Sequence, residues 1–323
     1  CSVRRLYALS RVHPMTHSVC ILGIFVADLT FVAPGDLPRP GETVLGKDFR
    51  IGPGGKGSNQ AIAARRAGAE VVLIAKIGND TFGNMAHELY ATEGVSDIAL
   101  IESKTQPTGA AGIFVSENSG ENTIIVTPAA AGAITVSEVE AAAENIAASS
   151  VFLTQFEVPL TVAEMGLRLA REARVLTILN PAPAATVAPA LWPFVDIATP
   201  NQSEAEALSG QSVHGPEDAG VAARFFLDQG VGAVAITLGA DGAYLMSDTH
   251  AEHIPALHAG AIVETTGAGD SFNGAMAAAL AEGQPLRDAV RLGNAAGAIS
   301  ITRAGTAMSM PKRAEIDRLL QQT

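Results

Sequence analysis

The stretch ETTGAGDSFNGAMAAAL, Glu264–Leu280, puts a carboxylate between a turn of small residues and an apolar helical run. The turn consists of Gly267, Ala268 and Gly269, and the carboxylate belongs to Asp270. A helix N-terminus offers unpaired N–H groups and the positive end of a dipole, and glycine lets an anion approach them. A carboxylate beside such a site can take the proton of a hydroxyl while the N–H groups stabilise phosphate charge. The alternative, that Asp270 only caps the helix, fits this stretch equally well.

A second glycine-rich segment, GPGGKGSNQAIAARRAGA at Gly52–Ala69, precedes another predicted helix. Its glycines let the backbone approach a polar ligand closely, and Lys56 and Asn59 can donate hydrogen bonds to that ligand. It is not a Walker A loop, because Gly57 follows Lys56, nor a good dinucleotide fingerprint, because no core strand directly precedes it. We interpret it as a ligand-binding loop; the alternative is a plain connection with Lys56 in solvent.

The segment TPNQSEAEALSG, Thr199–Gly210, gives Asn201 and Glu204 the spacing of a capping box. On spacing alone the favoured interpretation is a helix N-terminus. The functional alternative is that Glu204 helps to hold Mg²⁺ through water near a nucleotide.

Short apolar runs alternate with alanine-rich helical segments along most of the chain. Runs such as Val19–Val26, Val71–Ile77 and Val151–Gln155 predict strands that are apolar throughout, which is typical of a parallel sheet covered on both faces. The expected fold class is α/β, a doubly wound and mostly parallel sheet with helices on both faces. Two segments, about 29–51 and 109–126, lack a helical period and predict a small β-sheet lid.

The composition limits the classes of function. The 323 residues are 48% hydrophobic, enough for a large core, and the net charge of −12 disfavours binding to nucleic acid or to an anionic membrane. The apolar run Val19–Ala27 is far shorter than the ~20 residues of a membrane span. Cys1 and Cys20 cannot form a disulfide framework, so a cytoplasmic protein is expected.

Residues 1–17 are expected to be an N-terminal extension, disordered or non-native, because a well-formed apolar strand begins only at Val19. The three arginines in this segment leave a targeting peptide as the alternative. Residues 18–323 are then expected to form the α/β domain with its lid.

Two motifs resemble the signatures of the ribokinase (PfkB-type) sugar kinases: GGKGSNQ at Gly54–Gln60 and TGAGDSFNG at Thr266–Gly274. The likeness runs in order from Val19 to about Leu320 and includes four shorter segments, PGET at Pro40–Thr43, NPAPA at Asn180–Ala184, NQSE at Asn201–Glu204 and TLG at Thr237–Gly239. It implies an ATP-dependent kinase with Mg²⁺ and K⁺ as cofactors. The implied acceptor is the 5-hydroxyl of D-ribose or a related pentose, and the implied assembly is a homodimer formed through the lid.

The resemblance also implies roles for individual residues. Asp270 would be the catalytic base, and the backbone of Gly267, Ala268 and Gly269 would form the anion hole. The residues implied for the sugar are Val26, Asp28, Gly54, Gly55, Lys56, Asn59 and Glu157. Those implied for the nucleotide and Mg²⁺ are Asn201, Glu204, Thr237, Gly239, Gly242 and Asn294. Those implied for the monovalent cation, mostly through carbonyl oxygens, are Glu264, Thr266, Ser300, Arg303, Gly305 and Ser309.

The chain departs from the family pattern at two of these positions. Glu264 stands where the family usually has aspartate, which predicts an altered geometry at the cation site. Val26 stands where ribokinases usually have asparagine facing the sugar, which predicts a relaxed or shifted choice of sugar, with 2-deoxyribose as the alternative substrate.

Two other classes of function compete with a sugar kinase. A non-catalytic sugar-binding protein on the same fold is disfavoured because Asp270 and its glycines are intact. An NAD-dependent oxidoreductase is disfavoured because the glycine motif does not follow a core strand.

Overall fold

The computed structural model describes residues 17–39, 41–119 and 121–322. Most of the expected extension, residues 1–16, and Pro40 of the PGET segment lie outside the described residues. The strands are β1 Ser18–Leu22, β2 Val26–Ala33, β3 Asp48–Gly54, β4 Glu70–Gly78, β5 Leu100–Ser103, β6 Thr108–Ser116, β7 Asn122–Ala129, β8 Val151–Thr154, β9 Leu176–Leu179, β10 Ile197–Ala198, β11 Ala233–Thr237, β12 Ala243–Ser247 and β13 His250–Ile254.

Nine of these strands form one sheet, in the order β13-β12-β11-β10-β9-β8-β1-β4-β5. The pairs from β11 to β5 are parallel, and β12 and β13 join antiparallel at one edge. The predicted doubly wound, mostly parallel α/β fold is confirmed.

Helices cover both faces of this sheet. They are α1 Lys56–Arg66, α2 Thr81–Glu93, α3 Val136–Ala141, α4 Ala143–Ala147, α5 Leu160–Glu172, α6 Gln202–Ser209, α7 Pro216–Asp228, α8 Ala268–Ala281, α9 Leu286–Ser300 and α10 Arg313–Gln321. Alternate residues of one strand enter different clusters, since Ile21 packs with α1 and α8 and Leu22 packs with α5 and α7. The strands are apolar throughout because both faces are buried. Within the described residues, no helix combines the length and hydropathy that crossing a membrane requires.

The other four strands form the lid, in the order β3-β2-β6-β7. The prediction that Val19–Val26 is one core strand is wrong at its end. The core strand β1 stops at Leu22, and Val26 begins lid strand β2, paired with Gly54 on one side and Gly109 on the other. Gly23, which follows β1, must be glycine, because a Cβ there would lie 2.6 Å from the Cα of Gly57 in α1.

The parallel strands deliver polar residues to one edge of the sheet. Strand β8 is followed by Gln155, β9 by Asn180 and β10 by Thr199. Ligands of open α/β sheets bind at this carboxyl edge, and α1 and α8 both begin beside it.

Candidate active site

Helix α8 begins at Ala268 after Gly267, whose φ of 82° lies in the left-handed region that favours glycine. Gly267 is the N-cap residue and offers no side-chain hydrogen bond to the first turn. Apart from its chain neighbours and the adjacent backbone of its own helix, no described atom lies within 4 Å of the place where a Cβ of Gly269 would stand. The N–H of Ala268 donates to the carbonyl of Thr265 at 3.3 Å, whereas the space beside Gly269 is open to an anion in the positive field of the helix dipole.

Asp270 lies in the first turn of α8, inside the helix, so the alternative in which Asp270 is the helix cap is wrong. Its side chain is buried, with 5% of the residue exposed. The amide of Asn59 donates to Oδ2 at 3.0 Å and the amide of Gln60 donates to Oδ1 at 3.0 Å. Both carboxylate oxygens are therefore oriented by side chains of α1.

Close packing of α1 against α8 makes these contacts possible. A Cβ at Gly274 would lie 2.4 Å from the carbonyl oxygen of Gln60 and 2.5 Å from the Cβ of Ala63. Asp270 and Gly274 are four residues apart and so lie on the same face of α8. The glycine lets the helices approach until the short amide side chain of Asn59 reaches Asp270.

Sequence reasoning missed Gln60, which is fully buried. The sequence does contain a pattern that points to Gln60. Two adjacent amides, Asn59 and Gln60, lie in the first turns of a helix whose next residues are apolar. Buried polar side chains need partners, so a polar pair in that place indicates a second polar group opposite.

Asp28 belongs to lid strand β2, and its carboxylate lies beside Gly54 of the neighbouring strand β3. A Cβ at Gly54 would stand 2.2–2.3 Å from the carboxylate atoms of Asp28, so a side chain at position 54 would displace this carboxylate. Burial raises the pKa of Asp28 to about 6; hydrogen bonding with Thr306 lowers it, and the charges of Glu264 and Asp270 raise it. Asp28 therefore belongs to the same electrostatic site as Asp270.

Glu157 follows strand β8 and accepts the backbone N–H of Lys56 at 2.7 Å. Burial raises the pKa of Glu157 to about 7, against the opposing effect of the Lys56 charge. The charge of Asp270 raises the pKa of Lys56, which keeps the ammonium protonated. Lys56 thus lies among the carboxylates of this site as their cationic partner.

Val26 is buried at the start of β2. Residues two apart in a strand point to the same face, so Val26 and Asp28 share the face that meets Gly54. The Val26 side chain thus lies on the same face of the lid as the Asp28 carboxylate.

One pocket joins the predicted anion hole and Asp270 to part of the predicted nucleotide site, and Lys56 is the one predicted sugar residue among those that line it. It is lined by Lys56, Asn180, Ala182, Thr199, Asn201, Glu204, Thr237, Thr265, Gly267, Ala268, Gly269, Asp270 and Asn273. Of the predicted nucleotide residues, it includes Asn201, Glu204 and Thr237.

The capping box predicted for α6 is confirmed. Asn201 accepts the N–H of Glu204 at 2.8 Å, and Oε2 of Glu204 accepts the N–H of Asn201 at 2.8 Å. Oε1 of Glu204 accepts no hydrogen bond from the described part of the chain, and burial raises the pKa of this carboxyl. Among the described residues there is no group of three or more His, Cys, Asp or Glu side chains that could hold a metal. A single carboxylate fits Mg²⁺ that is held mainly by water and phosphate oxygens.

Three other predicted nucleotide residues have different surroundings. Gly239 has a φ of 58° and open space around it. Gly242 is buried, and a Cβ there would lie 2.3 Å from the carbonyl oxygen of Ile254, so backbone packing alone requires glycine. The amide of Asn294 donates to the carbonyl oxygens of Ile254 and Pro255 at 3.1 and 3.3 Å.

The residues predicted for the monovalent cation lie on two loops that are tied together. The N–H groups of Val263 and Glu264 donate to the carbonyl of Ile301 at 2.8 and 3.1 Å, and Oε2 of Glu264 accepts the N–H of Gly305 at 2.8 Å. The longer Glu264 side chain thus binds the opposite loop directly.

The remaining predicted cation residues would act through the backbone. The guanidinium of Arg303 pairs with Glu315, and the hydroxyls of Ser300 and Ser309 donate to Gly297 and Thr306 carbonyls at 2.8 Å. Thr266 is exposed.

Two residues that sequence reasoning missed hold the 303–310 loop. The Thr306 hydroxyl donates to the carbonyl of Pro53 at 2.9 Å, which links this loop to the lid beside Asp28. The guanidinium of Arg66 donates to the carbonyls of Ala307, Met308 and Met310 at 3.3, 3.2 and 2.8 Å. Neither could be found from local pattern, because each contact joins segments more than 240 residues apart.

Comparison with known proteins agrees with this geometry. Residues 16–313 match the model of the pfkB family carbohydrate kinases. The chain is 38% identical over 307 residues to a ribokinase of Haemophilus influenzae, covering 95% of this chain and 99% of the relative. It is also 29% identical over 303 residues to a deoxyribokinase of Salmonella typhimurium, covering 94% and 98%.

The fold is similar to that of Arabidopsis thaliana ribokinase complexed with ribose and ATP. The TM-score is 0.87 at 26% identity, and the match covers 94% of this chain and 98% of the other. This chain therefore belongs to the pfkB family of carbohydrate kinases. The family resemblance drawn from the two glycine motifs is confirmed.

The raised pKa of Asp28 generates a prediction for sugar binding. An ionised carboxylate accepts sugar hydroxyls, so ribose affinity should rise with pH through the Asp28 pKa of about 6. If only the ionised form binds, affinity one unit below this pKa should be about tenfold lower than on the plateau. Calorimetric titration with D-ribose between pH 5 and 8 measures this.

The control separates Asp28 from Glu157, whose pKa is about 7. Glu157→Gln should keep the inflection near the Asp28 pKa, whereas Asp28→Asn should remove it. An unchanged inflection in Asp28→Asn would contradict this assignment.

Proposed function

We propose that this protein transfers the γ-phosphoryl group of ATP to the 5-hydroxyl of D-ribose. The observation that carries the proposal is the buried carboxylate of Asp270, held beside the open N-terminus of α8 in a pocket that Lys56 also lines. The relatives named ribokinase support ribose as the sugar. The unit that we assign to this activity is residues 18–323, with the lid built around 29–51 and 109–126.

In the proposed reaction, Asp270 accepts the proton as the sugar hydroxyl oxygen attacks the γ-phosphorus and ADP leaves. The N–H groups of Gly267, Ala268 and Gly269 stabilise the negative charge on the phosphoryl oxygens. Asn59 holds Asp270 through its amide, and its own Oδ1 is buried without a partner, which suits a hydroxyl donor of the sugar. Asp28, Lys56 and Glu157, with the backbone of Gly54 and Gly55, bind the remaining hydroxyls.

The nucleotide would approach the other side of the pocket. Thr237 and Gly239 lie near the phosphates in this proposal, with Gly242 and Asn294 supporting the nucleotide side through the backbone around Ile254. Bound Mg²⁺ would neutralise phosphate charge, held through water by Glu204 beside Asn201.

A monovalent cation, K⁺, is proposed for the loops of Glu264 and Gly305, behind the anion hole. Its positive charge would strengthen the field at the N-terminus of α8. Backbone carbonyls supply most of its ligands, so the Glu264 substitution changes the geometry without removing the site.

A second copy of the chain is proposed to cover the lid. The rings of Phe31, Phe49 and Phe114 form an exposed aromatic cluster, with centroids 4.8 and 5.6 Å from that of Phe31. Exposed apolar clusters of this kind mark interaction surfaces. Sedimentation should give the mass of a dimer, and Phe31→Lys should give a monomer; a monomeric wild type at micromolar concentration would contradict the proposal.

The proposed activity predicts ribose-dependent release of ADP. ADP should appear only when ATP, Mg²⁺ and D-ribose are all present, and replacing K⁺ with tetramethylammonium should lower the rate. Asp270→Asn should reduce kcat by ~10²–10⁴-fold while nucleotide binding is retained, because an amide keeps the shape but cannot accept the proton.

Each of these outcomes can fail separately. A wild type that binds ribose without releasing ADP would indicate a sugar-binding protein. Equal rates in K⁺ and in tetramethylammonium would contradict the proposed K⁺ site but not the kinase activity. Near-normal turnover of Asp270→Asn would contradict the assignment of Asp270 as the catalytic base.

Val26 favours 2-deoxyribose as a second candidate substrate. Its methyl groups share a face with Asp28, so a sugar hydroxyl at this contact would lose a partner, which costs ~1–3 kcal/mol, or about 5- to 150-fold in affinity. A sugar that lacks that hydroxyl loses nothing. The similarity to a deoxyribokinase supports this candidate.

Val26→Asn should therefore shift kcat/KM toward ribose relative to 2-deoxyribose. Val26→Ala is the matched control, since it enlarges the site without adding a donor. An unchanged ribose-to-deoxyribose ratio in Val26→Asn would show that position 26 does not determine the choice of sugar.

A further inference from the structure

Gln60 lies behind the proposed base, on the first turns of α1 and away from solvent. Its Nε2 donates to Oδ1 of Asp270 at 3.0 Å and to Oδ1 of Asn180 at 3.2 Å. Its Oε1 accepts from Nε2 of Gln155. Both hydrogens of the amide nitrogen and its carbonyl oxygen are thus engaged.

The orientation of this amide is determined from two independent sides. An ionised carboxylate can only accept, so Asp270 requires the nitrogen of Gln60 to face it. The carbonyl of Thr199 also can only accept, so it takes the Nδ2 of Asn180 at 2.9 Å and leaves Oδ1 of Asn180 facing Gln60. Rotating the Gln60 amide by half a turn would place its oxygen against two acceptors.

The bonds continue from the base to the anion hole. The hydroxyl of Thr199 donates to Oδ1 of Asn273 at 2.6 Å, and Nδ2 of Asn273 donates to the carbonyl of Gly269 at 2.8 Å. One buried set of side chains therefore connects Asp270 through Gln60 and Asn180 to the turn that would bind phosphate.

We propose that Gln60 is a positioning residue of the reaction, which with Asn59 fixes the orientation of the Asp270 carboxylate at the N-terminus of α8. The proposal rests on the proposed function, because it assigns to Gln60 an effect on the Asp270 base. Gln60 touches neither sugar nor nucleotide in this assignment. Its loss should therefore lower kcat and leave the KM values for both substrates nearly unchanged.

Two variants of Gln60 test this in different ways. Gln60→Met keeps the length of the side chain but removes the donor, and kcat should fall on the order of 10²-fold, as for a misplaced catalytic group. Gln60→Glu is isosteric and places a second carboxyl against Asp270. When two carboxyls share a site, the apparent pKa for loss of the second proton is raised. The acid limb of the pH profile of kcat/KM should therefore move to higher pH by about one unit or more.

Gln155→Glu is the matched control, because it makes the same change of amide to carboxyl at an equally buried position that contacts Gln60 but not Asp270. Relative to the wild type, the acid limb of the kcat/KM pH profile should shift less in Gln155→Glu than in Gln60→Glu. Thermal unfolding of each variant, and nucleotide binding measured by calorimetry, separate loss of the fold from loss of positioning.

The outcomes distinguish this inference from the proposed function. If the wild type releases ADP with ribose but folded Gln60→Met and Gln60→Glu keep its kcat and pH profile, Gln60 does not position the base. A rise in sugar KM at unchanged kcat would also overturn the inference, because it would place Gln60 in the sugar site. If the wild type itself shows no ribose-dependent turnover, the result contradicts the proposed function, whatever the Gln60 variants show.

Discussion

The contact between α1 and α8 at Gly274 is the constraint on which the site depends. Any Cβ there would meet the backbone of Gln60, so the two helices approach closely only because this position lacks a side chain. The approach brings two short amides to both oxygens of Asp270, one turn earlier on the same face of α8. Alanine and glycine dominate α8, and larger residues at the contact would separate the amide donors from the carboxylate that they hold.

The charge arrangement follows from that packing. Asp28, Glu157 and Asp270 influence one another through space, and burial raises the pKa of the first two. Lys56 and the N-terminus of α8 offset this negative charge. Charged groups that are costly to bury and that lie close enough to shift one another's pKa are typical of a site that binds a polar substrate, which replaces the water that the carboxylates lose.

The lid supplies part of this site and extends away from the sheet. Asp28 and Val26 belong to β2, whereas Asp270 and the proposed anion hole belong to the start of α8, so the proposed reaction requires the lid to keep its position relative to the main sheet. The hydroxyl of Thr306, bound to the carbonyl of Pro53, links the lid to the loop that follows α9. The exposed aromatic face of the lid is consistent with a further partner on its other side.

Local pattern was sufficient to predict the strand–helix alternation, the two glycine-rich turns and Asp270, because periodicity and turn chemistry depend on neighbouring residues. It also predicted the capping box of Asn201 and Glu204, which needs only four consecutive residues. Tertiary structure alone decided that Val26 begins a lid strand, that Asp270 is bound by α1 and does not cap α8, and that Thr306 reaches Asp28. Gln60 and Asp270 are 210 residues apart, and a hydrogen bond over that separation exists only because two helices pack closely beside the same edge of the sheet.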